Sequence, residues 1–456
     1  MKRKRITLLP VRISWLRFLT LLIGMTLGSS PARAGPFVYV THSAFSNTVS
    51  VIDAATNTVV DTVSLGSSTL IQSKGVAITP DGTRAYVANA GTNTVSVIDT
   101  ATNTVVATVS VTGVGPFGVA ITPDGTRAYV VIRSGGSNSV SVIDTATDTE
   151  VATVPVGNVP LAVAITPDGT LAYVTNQVEG TVSVINTATN TVVNTVTVEA
   201  LPSGLAITPD GTRTYVANQG SNTVSVIDTA TNTVVGAVPV GDSPFLAAIT
   251  PDGTRVYVTH DRVPIMSVIA TATNTVVATV LLPTEVDTKG VAITPDGTRA
   301  YVANGEFDNV LVIDTATNTV VATIAGAGPL PWGVAITPTP VSVITVAIDI
   351  KPGSDPNSIN PRNRGVIPVA ILTTDTFDAT TVDPTTVRFG VTGTEAAPVQ
   401  TALEDVDGDG DTDMILHFNT QETGIVCGDT SASLTGETFG GQAIQGSDSI
   451  KTAGCK

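Results

Sequence analysis

The chain has 456 residues, with 22 lysines and arginines against 38 aspartates and glutamates, which gives a formal net charge of −16 at pH 7. Charged residues make up only 13% of the chain, and the first 34 positions hold seven of the basic ones. The rest of the chain is therefore strongly acidic, and its field opposes binding to nucleic acid and to anionic lipid surfaces. We expect no nucleic-acid partner.

The first 34 residues have the pattern of an export signal. Lys2 to Arg5 form a positive n-region, Phe18 to Leu27 form an apolar h-region, and Ala32 to Ala34 match a small-residue cleavage site. The apolar stretch is too short for a stable membrane span. We therefore predict a signal peptide over 1–34, no membrane span, and a mature protein that is secreted, periplasmic or exposed on the cell surface.

From residue 35 to 337 one phrase, AITPDGTRAYVAN, recurs every 42 to 44 residues. Each unit holds four short runs rich in Val, Ile, Thr and Tyr, separated by Pro-Asp-Gly and Thr-Ala-Thr-Asn turns, a composition typical of strands and turns. A period in the low forties built from four strands indicates a β-propeller blade. The Thr-Pro step marks the register at Thr79, Thr122, Thr166, Thr208, Thr250, Thr294 and Thr337.

The two ends of this array indicate how the ring closes. The array begins in mid-blade at Phe37, and the missing inner strand appears at its far end as Trp332 to Thr337. Sharing one blade between the two ends leaves only short edges unpaired. Counted in this way, the array predicts seven blades, and all seven tyrosines of the chain lie in equivalent second strands.

The units YVTN, YVAN and TPDGTRAYV resemble the YVTN-family β-propeller repeat proteins of bacteria and archaea over residues 37–337. This region is similar, more distantly, to seven-bladed lactonases and to the heavy chains of periplasmic quinoprotein dehydrogenases. Because one fold hosts many functions, the resemblance implies a propeller without implying an activity.

The loops at the two ends of the blades differ in how much they vary. The PDGT and DTATNT loops, which define the repeated face, barely change between blades, so the Asp of PDGT is predicted to serve the turn. The loops after VATV and after YVAN, which define the variable face, change strongly, and a ligand site needs such asymmetry. Candidate partner-binding residues on this face and its central mouth are Lys74, Phe117, Arg133, Phe245, His260, Arg262, Lys289, Phe307 and Trp332.

Catalytic motifs such as GxSxG, HExxH and CxxCH do not occur in the sequence. His42 and His260 stand where other blades have the Asn of YVTN, which favours structural replacement, although His260 is also kept as a binding candidate. An enzyme would gather carboxylates, His or Arg at the central ends of the inner strands, whereas these strands read GVAIT almost uniformly. We therefore predict no catalytic residue.

The blade period stops at a linker predicted over 338–343. Residues 344–456 show strand-like runs between Gly and Pro turns, which predicts a small β-sandwich-like domain and makes the whole chain all-β. The strings IDIKPGSDPNSINP and DVDGDGD resemble a C-terminal accessory domain found in many exported bacterial proteins.

This C-terminal region carries the strongest chemical pattern in the sequence. Calcium takes six to eight oxygen ligands, and a glycine such as Gly410 lets a loop turn sharply around the ion. The spacing resembles the calcium loops of dockerins and integrin-type repeats, although the twelfth position is Leu416 and not Glu. We predict structural Ca²⁺, with a solvated acidic turn as the alternative. The candidate ligands are Asp405, Asp407, Asp409, Asp411 and Asp413.

Cys427 and Cys455 are the two cysteines of the chain, and an even pair in an exported protein predicts a disulfide. Two buried thiols are the alternative. As to function, we expect an exported, non-enzymatic propeller that binds or scaffolds a protein or polysaccharide of the cell envelope. The alternative is a propeller enzyme or subunit, either a lactonase-like hydrolase or a quinoprotein-type oxidoreductase component.

Overall fold

The computed structural model describes residues 35–43, 46–68, 71–136, 138–283, 287–339, 344–354, 356–439 and 442–455. Within these ranges the secondary structure consists of 38 strands and three 3-10 helices, at Gly305–Phe307, Ala379–Thr381 and Thr420–Glu422. The signal peptide predicted over 1–34 and most of the predicted linker, 340–343, lie outside the described residues. No helix in these ranges is long and apolar enough to cross a bilayer.

Residues 37–336 form seven four-stranded antiparallel sheets, one for each predicted blade. Blade 1 contains β28, β1, β2 and β3, and blades 2 to 7 follow in chain order. The innermost strands are β4 (Ser73–Ile78), β8 (Val114–Ile121), β12 (Pro160–Ile165), β16 (Pro202–Ile207), β20 (Pro244–Ile249), β24 (Thr288–Ile293) and β28 (Pro331–Ile336). The second strands are β1 (Phe37–His42), β5 (Arg84–Asn89), β9 (Arg127–Ser134), β13 (Leu171–Asn176), β17 (Arg213–Asn218), β21 (Arg255–His260) and β25 (Arg299–Asn304).

The third and fourth strands complete each sheet. The third strands are β2 (Thr48–Asp53), β6 (Thr94–Asp99), β10 (Ser139–Asp144), β14 (Thr181–Asn186), β18 (Thr223–Asp228), β22 (Ile265–Ala270) and β26 (Asn309–Asp314). The outermost are β3 (Thr58–Ser64), β7 (Thr104–Ser110), β11 (Thr149–Pro155), β15 (Thr191–Thr197), β19 (Thr233–Pro239), β23 (Thr275–Leu281) and β27 (Thr319–Ala325).

The ring closes through blade 1, as the sequence predicts. β28 pairs antiparallel with β1, so that Val38 lies opposite Ile336 and Val40 opposite Val334. Blades 7 and 1 also share one buried cluster, which includes Val40 from one blade and Val312 from the other. Each of the seven blade interfaces has a cluster of this kind, so both apolar faces of every sheet are removed from water.

Eight of the ten C-terminal strands form two further four-stranded sheets around one shared core, which is the predicted sandwich-like arrangement, and the remaining two strands pair with each other. Phe389 and Phe418, one from each sheet, meet in this core with ring centroids 5.1 Å apart. The predicted disulfide is present between Cys427 and Cys455. The strands are β29 (Ile344–Thr345), β30 (Ile348–Ile350), β31 (Ser358–Ile359), β32 (Val366–Ile371), β33 (Val382–Gly390), β34 (Pro398–Glu404), β35 (Asp413–Asn419), β36 (Ser431–Thr438), β37 (Ala443–Ser449) and β38 (Lys451–Thr452).

Candidate functional site

A β-bulge at the start of every inner strand shapes the centre of the variable face. In blade 2, Ser73 pairs with Asn89 and the next pair is Val76 with Val87, so Lys74 and its neighbour oppose a single residue. A bulge of this kind redirects side chains and is common beside functional sites. The residues at this position define the mouth: Lys74, Phe117, Leu161, Ser203, Phe245, Lys289 and Trp332.

The second bulge residue explains why the blades bring these side chains together. It is glycine in five blades, and a Cβ at Gly75 would lie 2.4 Å from the Phe117 carbonyl oxygen. A Cβ at Gly290 would lie equally close to the carbonyl oxygen of Trp332. At these glycines the neighbouring inner strands approach too closely for a side chain, whereas blades 4 and 6 carry Ala162 and Leu246 at the same position. The glycine of GVAIT is thus a packing requirement of the mouth.

Trp332 spans the mouth. Its indole makes edge-to-face contacts with Phe117 of blade 3 and Phe245 of blade 6, at centroid distances of 5.7 and 6.1 Å. The ammonium groups of Lys74 and Lys289 lie 4.0 and 5.2 Å from the indole centroid. These distances are within the range of cation–π attraction. Five residues that are distant in sequence thus form one aromatic and cationic cluster.

The charge on Lys289 is compensated by two carboxylates. Its Nζ forms ion pairs with Asp261 and, at 2.7 Å, with Asp287. Burial raises the pKa of Asp287, whereas at Asp261 the hydrogen bond and charge of Lys289 outweigh burial and lower the pKa. The three side chains therefore act as one ion-paired unit at the rim of the mouth.

A chain of hydrogen bonds continues from this unit around the rim. Arg133 donates to Gln177 at 3.1 Å, Gln177 approaches Gln219 at 3.5 Å, and Gln219 donates to Asp261 at 3.2 Å. Each of these four residues comes directly after the buried stretch of a second strand, one in each of blades 3 to 6. Arg133 was predicted from the sequence, whereas Gln177, Gln219, Asp261 and Asp287 were not. Alignment of the position after YVAN between blades would have found Gln177, Gln219 and Asp261.

Lys74 differs from Lys289 because no carboxylate pairs with it among the described residues. Burial lowers its pKa to about 8, and the charges of Arg133 and Lys289 act in the same direction. Its ammonium also lies 5.9 Å from the Phe117 centroid, and the Arg133 guanidinium lies 4.9 Å from the same ring. Phe117 is thus in contact with two cations.

The remaining candidates lie elsewhere. His260 is fully buried, and its ring nitrogens are 2.7 Å from the Asp242 carbonyl oxygen and 2.9 Å from Ser267 Oγ. At the equivalent position of blade 5, Asn218 donates a hydrogen bond of 2.9 Å to Ser225 of the same blade. His260 is therefore not part of the accessible surface of the variable face. Arg262 and Phe307 are exposed in loops of that face.

The inner strands are less uniform than the repeated letters GVAIT suggest. The uniform letters GVAIT describe only the part of each inner strand that runs towards the repeated face. The opposite end carries the varied residues of the mouth, and it does gather lysine, arginine and carboxylate groups. The uniformity of the inner strands therefore does not extend to this end.

The repeated face has the turn chemistry that the sequence predicts. The Asp81 carboxylate accepts hydrogen bonds from the Thr79 hydroxyl and, at 3.0 Å, from the Thr83 amide. These hydrogen bonds outweigh burial and hold the pKa of Asp81 below its usual value. Clefts of about 240 to 370 Å³ lie between neighbouring blades here, lined by these already bonded aspartates.

In the acidic C-terminal loop, carboxylate oxygens of Asp405, Asp407 and Asp413 lie within 4.8 Å of one another. Asp413 is buried and accepts hydrogen bonds from the amides of Thr373 and Val406, at 2.8 and 2.9 Å. Asp409 and Asp411, the other two candidate ligands, are exposed and are not in this group. An oxygen cluster of this type suits calcium, and the two amide bonds would orient Asp413 towards the ion.

Comparison with known proteins supports the propeller. A family described as lactonase, 7-bladed beta-propeller, matches residues 75–238 and 144–286. No curated protein matches the chain. Hydrazine synthase of Kuenenia stuttgartiensis is similar in structure, with 25% identity and a TM-score of 0.53 over 59% of this chain and 90% of that one. The chain carries a seven-bladed β-propeller.

Two further solved structures share this fold. A functionally unknown protein from Desulfotomaculum acetoxidans has 21% identity and a TM-score of 0.59, over 66% of this chain and 99% of its own. The dihydro-heme d1 dehydrogenase NirN in complex with DHE has 15% identity and a TM-score of 0.50, over 66% and 74%. At these identities the likeness concerns the propeller alone.

Proposed function

We propose that this protein is an exported β-propeller that binds a component of the cell envelope, a protein or a polysaccharide, through the mouth of the variable face. One observation carries the proposal: predicted binding residues from five blades converge on a single cluster around Trp332. Tryptophan and arginine are the side chains that most often dominate binding energy, and Trp332 and Arg133 supply both. The repeated face offers nearly the same surface seven times and has no comparable cluster among its described residues.

The charge distribution supports binding over catalysis. The two carboxylates at the rim, Asp261 and Asp287, are already paired with Lys289. A carboxylate or imidazole that acts as a general base must be free to accept a proton from a bound substrate. The buried His260 is hydrogen-bonded at both nitrogens, so it does not provide one either.

The proposal is tested by capture of envelope components on the immobilised protein, with identification of what is retained. Trp332→Ala and Arg133→Ala should each weaken retention at least tenfold, about 1.4 kcal/mol. Arg299→Ala on the repeated face is the matched control and should have no effect. If Arg299→Ala weakens retention as much, or if Trp332→Ala leaves retention unchanged, the binding surface does not lie at the mouth.

An enzymatic role is the second candidate, and two observations favour it. The lactonase family matches nearly half of the chain. Lys74 has a pKa of about 8, and a lowered lysine pKa in a concave site is a feature of acid–base and nucleophilic catalysts. Hydrolysis of a panel of lactones, abolished by Lys74→Gln and retained in Arg299→Ala, would establish this alternative and overturn the non-enzymatic proposal.

We also propose that the acidic C-terminal loop binds a structural Ca²⁺. Asp405, Asp407 and Asp413 would supply the first carboxylate oxygens, and the exposed Asp409 and Asp411 would complete the oxygen set. The proximity of Asp405, Asp407 and Asp413 supports this proposal, because clustered carboxylates repel one another unless a cation neutralises them. The ion would stiffen the turn between β34 and β35.

A further inference from the structure

Among the described residues, Lys74 and Arg133 have no ion-pair partner of opposite charge. Of the 22 lysines and arginines in the chain, seven lie in the first 34 residues, and three of the other fifteen gather at the mouth. Asp261 and Asp287 compensate Lys289. Arg133 instead donates to the neutral Gln177, and Lys74 forms no ion pair with any described residue. Lys74, Arg133 and Lys289 thus stand against two carboxylates, Asp261 and Asp287, so these described groups carry excess positive charge within a strongly acidic protein.

This arrangement is unfavourable for the empty protein. Lys74 and Arg133 are both half-buried and lie near the same ring, with the ammonium 5.9 Å and the guanidinium 4.9 Å from the Phe117 centroid. Half-buried like charges repel one another, and each also loses hydration. An anion bound between them would relieve both costs.

The surroundings favour one class of anion. Phe117 and Trp332 are in edge-to-face contact and are both only partly buried, so they offer apolar surface beside the two charges. A guanidinium presents a planar pair of donors that matches a carboxylate, and aromatic rings favour a ligand with an apolar body over a fully hydrated ion.

We propose that the mouth binds the carboxylate of an organic acid between Lys74 and Arg133, with the apolar body of the acid against Phe117 and Trp332. This inference rests on the proposed function, because it names the chemistry that the mouth recognises on its partner. Lys289 stays paired with its two aspartates and fixes the position of Trp332 from the opposite side.

The chain offers a direct optical test. Its two tryptophans are Trp15 and Trp332, so the full chain carrying Trp15→Phe reports only on the mouth. We would titrate this protein with phenylacetate, with 2-phenylethanol, which keeps the ring but lacks the charge, and with inorganic phosphate. Phenylacetate should change the Trp332 emission with saturation, at a concentration at least tenfold lower than the other two.

Variants locate the carboxylate. Lys74→Gln and Arg133→Gln, each combined with Trp15→Phe, should raise the half-saturating concentration of phenylacetate at least tenfold and leave that of 2-phenylethanol unchanged. Arg299→Gln, on the repeated face, should change neither. Melting curves of each variant confirm that it is folded. Equal affinity for phenylacetate and 2-phenylethanol, or equal affinity for phosphate, would overturn the inference.

Failure of the inference and failure of the proposed function give different results. If phenylacetate does not bind but Trp332→Ala abolishes capture of the envelope component, the mouth is the binding site and the ligand class is wrong. If phenylacetate does not bind and Trp332→Ala leaves capture unchanged, both the inference and the proposed function are wrong. If phenylacetate binds and also displaces the captured component, both stand.

Discussion

The phenol of Tyr301 donates a hydrogen bond of 2.7 Å to Oδ1 of Asn57, joining blade 7 to blade 1 across 244 positions of the sequence. Asn57 has a positive φ of 53°, a conformation that asparagine tolerates better than most residues. The backbone of Asn57 thus shapes the Ala-Ala-Thr-Asn turn of blade 1, and its side chain accepts a hydrogen bond from the preceding blade. An equivalent bond to an asparagine Oδ1 recurs at five other interfaces, from Tyr39, Tyr129, Tyr173, Tyr215 and Tyr257, and at the sixth Tyr86 donates to the carboxylate of Asp148.

The two roles of Asn57 can be separated by substitution. Asn57→Gly keeps the positive φ but loses the acceptor, so we expect a loss of about 1 kcal/mol in the free energy of unfolding. Asn57→Ala loses both and should cost about 1 to 2 kcal/mol more, because a Cβ disfavours this conformation. Urea unfolding midpoints measure the difference. If the Gly and Ala variants are equally stable, the backbone conformation contributes nothing.

Ring closure is tested by removing the strand that blade 1 takes from the far end of the propeller. Deleting 332–337 removes most of β28 and leaves β1 with an unpaired edge against the central channel. We expect a lower melting temperature and new protease cleavage between β1 and β3. A melting transition unchanged by the deletion would refute the shared blade.

Lys74 should destabilise the folded protein at neutral pH. Its pKa falls from the ordinary 10.5 to about 8 on folding. Between these two values the unfolded chain binds the proton and the folded chain does not, so the free energy of unfolding rises with pH across this window. Lys74→Met should therefore raise the melting temperature at pH 7, by about 2 °C for each kcal/mol gained. This gain should shrink towards zero as the pH approaches 10.5.

Lys289→Met is the matched control for that experiment. It removes a lysine from the same mouth, but it leaves Asp261 and Asp287 without their cation, so it should lower the melting temperature at pH 7. A higher melting temperature for Lys74→Met and a lower one for Lys289→Met would support the view that Lys74 is kept at the expense of stability. Destabilisation by both would contradict it.

Calcium should stabilise the C-terminal sheets without affecting the propeller. At one hundred times the dissociation constant, a bound ion adds about 2.7 kcal/mol to the free energy of unfolding. Chelation should therefore expose the segment between β34 and β35 to protease and leave the propeller strands protected. Asp407→Asn should reproduce this at saturating calcium, because among the described residues Asp407 accepts a single amide hydrogen bond, from Asp409. If chelation leaves the protease sensitivity unchanged, the loop is a hydrogen-bonded acidic turn without a bound ion.

The sequence predicted the mouth only in part, and the reason lies in the repeat. Lys74, Phe117 and Trp332 could be proposed because they break the repeated pattern. Gln177, Gln219 and Asp261 were missed because their side chains interact with positions 42 or 44 residues away, one blade apart, and no local motif joins them. Contacts of this kind become visible only when equivalent positions of neighbouring blades are compared.

The sequence by itself determined the number of blades, the closure through blade 1 and the disulfide. Strand periodicity, turn residues and cysteine count are local properties, and each blade can bury its faces in only one way. Only the tertiary structure decided that Trp332 reaches Phe117 and Phe245 across the mouth, and that Lys289 is paired while Lys74 is not. Those relationships depend on the close approach of the inner strands at the glycines of the bulges, where distances between blades are set by packing around the whole ring.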